Sequence, residues 1–132
     1  TVYSPTRHVY FPQQFNITLG QGVVCVFGKG LAIDTPSSGT VKLSLDDVPE
    51  GKYRLLLNYK SNNHGADVQI WQRQKLIAKW FSTKGDKNEE KRDVYVGDLI
   101  LTRQTNSITF HIKKNGNANK LELMLVTLER IN

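Results

Sequence analysis

Residues Val48–Trp71 read VPEGKYRLLLNYKSNNHGADVQIW. A charged turn around Pro49 and Gly51 opens the stretch. Tyr53, Leu55, Leu57 and Tyr59 then fall on one face of an extended chain, with Arg54, Leu56 and Asn58 on the other. After a polar tip, Ser61–Gly65, the residues Ala66, Val68 and Ile70 alternate with Asp67, Gln69 and Trp71. The hydrophobic period is two rather than 3.6, which predicts two β-strands joined by a turn.

The same alternation recurs along the chain. In NSITFHIKK, Ile108, Phe110 and Ile112 oppose Thr109, His111 and Lys113. In KLELMLVTLERI, Leu121, Leu123 and Leu125 oppose Glu122, Met124 and Val126, so this strand is apolar on both faces over part of its length and is expected to be central. Turn signals rich in Gly, Pro, Asn and Asp punctuate the runs about every ten residues, the spacing of a sandwich or barrel. QRQKLIAKWF has some helical propensity, but its neighbours favour a strand. The predicted fold is all-β: two antiparallel sheets packed face to face, with Val41, Leu43, Leu45, Tyr53, Leu55 and Leu57 inward, joined by Val68, Ile70, Ile108, Phe110, Ile112, Leu121 and Leu123.

The chain has 132 residues, 39% of them hydrophobic, which suffices for one core and predicts a single domain over 1–132. No run of about 18 apolar residues is present, so no transmembrane helix and no membrane partner are expected. The start, TVYSPTRHVY, lacks the basic-then-apolar pattern of a signal peptide. The single cysteine, Cys25, has no intramolecular partner and reads as a small buried hydrophobe on a strand. The net charge of +6 favours acidic partners such as nucleic acid, anionic membrane or acidic glycan. KGDKNEEKRD, residues 84–93, mixes both signs and reads as a solvated loop. Nucleic acid is disfavoured because the basic residues cluster in turns without interleaved aromatics.

Catalysis finds little footing. His8, His64 and His111 have no metal-ligand spacing. No Gly-x-Ser-x-Gly elbow or Walker loop occurs, and GQGVVCVFGKG is not followed by a helix. Asp46–Asp47 and Glu89–Glu90 read as solvated pairs in turns. Sugar binding, by contrast, needs an aromatic ring for the apolar face of a pyranose and amides or carboxylates for its hydroxyls. Trp71 is the candidate platform, on the polar face of its strand beside Asp67 and Gln69. Asn62, Asn63 and His64 are the nearby polar candidates, and Asn117 and Asn119 come from a second Asn-rich loop. Lys60, Arg73 and Lys114 would favour an acidic sugar. Trp80 shares its predicted face with Leu76 and Ala78 and is expected in the core.

The order of pieces adds a resemblance. TVKLSLDDVPEGKYRLLLNYKS (40–61), ADVQIWQRQKLIAKWFSTKG (66–85), VGDLILTRQTNSITFHI (96–112) and LELMLVTLERI (121–131) resemble successive segments of galactose-binding-like jelly rolls, the first through its Pro-x-Gly-x-Tyr turn. The chain is similar to carbohydrate-binding modules of families six and thirty-five, accessory domains of secreted bacterial glycan-degrading enzymes. The resemblance implies a non-catalytic module that binds carbohydrate, secreted or periplasmic, attached to or associated with a glycoside hydrolase. It also implies a structural calcium ion, with Glu122 in the position of the family's acidic residue. Unlike such modules, the chain carries no aromatic in TKGDKNEEKRD or LAIDTPSSGTV. The alternative reading is a structural or protein-docking sandwich without sugar binding.

Overall fold

The computed structural model describes residues 6–131. The single-domain expectation spans 1–132; residues 1–5 and 132 lie outside the described residues. The described residues form β1 (Arg7–Tyr10), a single 3-10 turn (Pro12–Gln14), β2 (Asn16–Leu19), β3 (Val24–Phe27), β4 (Leu31–Asp34) and β5 (Ser38–Ser44). There follow β6 (Gly51–Ser61), β7 (Asp67–Gln72), β8 (Lys75–Ser82), β9 (Glu89–Leu101), β10 (Ser107–Lys113) and β11 (Lys120–Arg130).

Two antiparallel sheets result. The first, sheet A, runs β3-β4-β11-β6-β9, with β1 also pairing β11; the second, sheet B, runs β2-β5-β10-β7-β8. Both sheets hide one face against the other, as the period-two pattern requires. Every residue expected inward is buried, from Val41 and Leu43 on β5 to Leu121 and Leu123 on β11. The strand predicted to be central, β11, lies between β4 and β6. Cys25 sits half-buried on β3, packed against the core. The fold is the two-sheet jelly roll that the resemblance implies.

Three expectations are corrected by the ladder geometry. Trp80 is not in the core: it is 41% exposed. Strand β8 pairs Trp71 with Leu76, Ile70 with Ala78 and Val68 with Phe81, so it carries an extra residue at Ile77 and another at Lys79–Trp80. Each such bulge shifts the in-out alternation by one. Leu76 therefore faces outward, Ala78 inward and Trp80 outward again. The second correction concerns Leu125. Met124 is an extra residue between the Leu123–Tyr59 and Leu125–Asn58 pairs, so Val126 rather than Leu125 continues the buried row. The third concerns residues 84–93: the loop ends at Asn88, and Glu89–Asp93 already belong to β9, paired with β6. A charged, largely exposed strand at a sheet edge deters pairing with other chains, so its composition reads as loop although it is strand.

Candidate functional site

The outward face of sheet B is built from cross-strand rows. Trp71 (β7) stands beside Thr109 (β10), then Lys42 (β5) and Thr18 (β2). The next row is Gln69, His111 and Thr40, and the next Asp67, Lys113 and Ser38. Apart from Trp71 and the outward Leu76 beside it on β8, these rows are polar, which is what a solvated sheet face demands. Trp71 is half-buried; its Nε1 donates to Gln69 Oε1 at 2.8 Å, and its ring lies 6.2 Å from that of His111. Trp80 joins from β8. The Lys113 ammonium lies 4.2 Å from the centre of its ring, a cation–π contact that fixes the indole over the sheet. Trp80, His111, Lys113, Thr40 and Ser38 line one shallow depression of about 300 Å³.

Charge is distributed unevenly between the sheets. The strands of sheet B carry Lys42, Lys75, Lys79 and Lys113 against Asp67 alone. All six ion pairs among the described residues, Arg7–Asp93, Arg7–Glu129, Arg54–Glu129, Lys91–Glu89, Arg92–Glu90 and Lys120–Asp34, lie on sheet A. On the face bearing both tryptophans the outward rows hold Lys42 and Lys113 against Asp67, and sheet B carries no ion pair among the described residues.

The polar candidates lie at one end of the sandwich. The loops 62–66 and 114–119 meet there: Lys120 N donates to His64 O at 2.9 Å, and Ala66 N to Lys120 O at 2.8 Å. Asn62 is occupied in holding this end together. Its Oδ1 accepts from His64 N at 2.9 Å, and its Nδ2 reaches Asn88 Oδ1 at 3.4 Å and Glu122 Oε1 at 3.5 Å. Asn119 is likewise engaged, donating to Thr35 O at 2.9 Å. Asn115 ties Asp67 and Ser82 at 3.0 and 3.3 Å. Asn63, His64 and Asn117 are exposed. Trp71 is not brought to these residues: it stands four residues further along β7 than Asp67, about 13 Å at the rise of an extended strand. Trp80 and Lys113 stand between. Trp80, Lys113 and His111 are the members of this face that sequence reasoning missed; the two bulges of β8 hid Trp80, and no local pattern announces a bulge.

Glu122 opens onto the other sheet. It lines a groove of about 430 Å³ with Lys29, Lys60, Glu90, Val26 and Met124. Its surroundings do not fit a calcium ion. Two lysines share the groove, the Asn62 amide points its hydrogen at the carboxylate, and no group of three or more His, Cys, Asp or Glu converges among the described residues.

Fold and site together define a two-sheet antiparallel jelly roll with two tryptophans and two lysines on its outer face. The chain belongs to the family described as "Domain of unknown function (DUF8441)", whose model matches residues 9–131. No curated protein matches it. Among solved structures it is similar to a family 35 carbohydrate binding module from Clostridium thermocellum, at TM-score 0.56 and 8% identity, covering 96% of this chain and 100% of that one. It is also similar to a GH26-CBM35 β-(1,4)-mannanase from Podospora anserina, at TM-score 0.58 and 14% identity, covering 96% of this chain and 28% of that one. The insecticidal crystal protein Cry2Aa matches at TM-score 0.60 and 13% identity, over 96% of this chain and 22% of its own. The chain thus spans about a quarter of the two longer proteins, and at these identities the likeness is one of fold.

Proposed function

We propose that this domain is a non-catalytic carbohydrate-binding module whose platform is the outer face of sheet B. The observation that carries the reading is the pair of tryptophans, Trp71 and Trp80, on one polar sheet face with His111 and Lys113 between them. Indole rings stack on the apolar faces of pyranoses, while Gln69, Thr40 and Thr109 offer donors and acceptors to the hydroxyls. Unpaired lysines on the same face favour a glycan bearing carboxylates or sulfates. Exposed Asn63, His64 and Asn117 stand beyond the Lys113 end of the platform, where a longer chain would reach them. Asn62 and Asn119 act by holding those loops. The resemblance in fold to a module that is part of a mannanase supports a role beside a glycan-degrading enzyme; a secreted or periplasmic setting is part of the same proposal.

The test is a glycan-array scan at low and near-physiological salt, with Trp71→Ala and Trp80→Ala alongside. The expected result is binding that persists in salt and is lost in both variants. Binding that vanishes in salt equally for all three proteins would reduce the site to charge attraction and sink the stacking model. Binding abolished instead by Asn63→Ala and Asn117→Ala, with both tryptophan variants intact, would move the site to the end loops.

A further inference from the structure

A jelly roll has two open sides where the edge strands of its sheets face each other. On one of them β8, the edge of sheet B, meets β9, the edge of sheet A. At one end the edges touch: a Cβ placed on Gly97 would run into the Ile77 carbonyl. Further along they part. Between them lies a slot of about 290 Å³, with Tyr59, Ala78, Phe81, Val94 and Val96 as apolar walls and Lys79, Ser82 and Tyr95 at its rim.

Both edges are bent where they border this slot. Strand β9 carries an extra residue at Val96 and another around Asp93, the latter at φ 50°. Strand β8 carries its extra residues at Ile77 and Lys79–Trp80. Bulges re-aim side chains and stop strands from closing on a neighbour. Here they keep two sheets from sealing over their own core. The rings of Tyr59 and Phe81 lie 6.0 Å apart at 45° inside the slot. Tyr59 is 8% exposed and lines the slot.

We propose that this slot binds a small aromatic carboxylate, its ring among Tyr59, Phe81 and Val94 and its carboxylate on Lys79. Size admits it: a cavity of about 150 Å³ already takes benzene. Shape favours a ring over an alkyl chain, because tilted aromatic walls make edge-to-face contacts with a flat guest, whereas a chain must freeze its rotors. Charge sets the sign of the polar end. Lys79 is the one charged group lining the slot, and it takes part in no ion pair among the described residues. The site is separate from the tryptophan face and does not rest on the sugar reading.

The experiment is a titration of the full chain with 3-phenylpropanoate, followed by NMR through the backbone amides. Neutral 3-phenylpropanamide and hexanoate serve as comparisons. Saturable shifts are expected at Ala78, Phe81, Val94 and Val96. Ala78→Leu, which fills the slot, is expected to abolish them. Lys79→Glu, an exposed change that leaves the core alone, is expected to weaken the carboxylate at least about threefold and leave the amide unchanged, since one rim ion pair is worth that much. If Ala78→Leu does not fold, the Lys79→Glu comparison decides alone. Shifts absent from the slot, shifts confined to Trp71 and Trp80, equal affinity for hexanoate, or indifference to Lys79→Glu would each overturn the proposal. So would shifts at the slot that depend on protein concentration without ligand, which would mean that a second copy fills it.

Discussion

Tyr53 shows how much one side chain can tie together. Its hydroxyl donates to Pro49 O at 2.6 Å and accepts from Arg130 Nη2 at 2.8 Å, while the Arg130 guanidinium sits 5.0 Å from its ring centre. The turn before β6, the start of β6 and the end of β11 therefore meet on one phenol. Tyr53→Phe keeps the ring but leaves a carbonyl and a guanidinium short of a partner. The expected loss is about 1–2 kcal/mol in urea unfolding. An unchanged unfolding midpoint would mean that water replaces the hydroxyl at no loss. PEGKY was visible in the sequence as a turn followed by an inward tyrosine, and the structure adds only the partner from β11. Trp71 was equally legible, because nothing interrupts the alternation of β7 before it. Trp80 was not, since its direction depends on how many residues of β8 are left unpaired, and that is decided by the neighbouring strand.

Elements bring in contacts that no single strand's pattern encodes. The approach of β8 to β9 rests on Gly97, whose missing side chain leaves room for the Ile77 backbone. Gly97→Ala puts a methyl into a carbonyl that a sheet edge cannot move freely. It is expected to destabilise by about 1–3 kcal/mol, as overpacking does. Because the same contact closes one end of the slot, amide exchange should rise first in β8 and β9, the strands it pries apart. Uniformly faster exchange across both sheets would show that the edges do not open independently. The strand identity of Glu89–Asp93 belongs to this scale as well. Period-two reasoning needs an apolar face, and the exposed start of an edge strand has none, so only the pairing with Tyr59, Lys60 and Ser61 reveals it.

For the molecule as a whole, the buried Tyr53 and Tyr59 and the half-buried Tyr10 set a limit at alkaline pH. Burial raises the pKa of Tyr10, Tyr53 and Tyr59 above the ordinary tyrosine value; Tyr53 and Asp47 add to the rise at Tyr10. Arg130 partly offsets it at Tyr53, and Lys91 at Tyr59. The sign follows from proton counts. Above about pH 10 the unfolded chain releases these phenolic protons while the folded chain still holds them. The folded state then binds more protons than the unfolded one, so stability falls as pH rises. Their contribution is complete below the unfolded value and is lost as pH climbs through the raised folded values. The urea midpoint is therefore expected to hold up to about pH 9 and to drop steadily towards about pH 11, with tyrosinate absorbance lagging until unfolding. Tyr59→Phe removes one titrating group and should make that drop shallower, even though it lowers or leaves unchanged the stability near neutrality. A midpoint indifferent to alkali, or tyrosinate absorbance that rises fully before any unfolding, would show that solvent reaches these rings in the folded state and that the core between the sheets is open at more than the one slot.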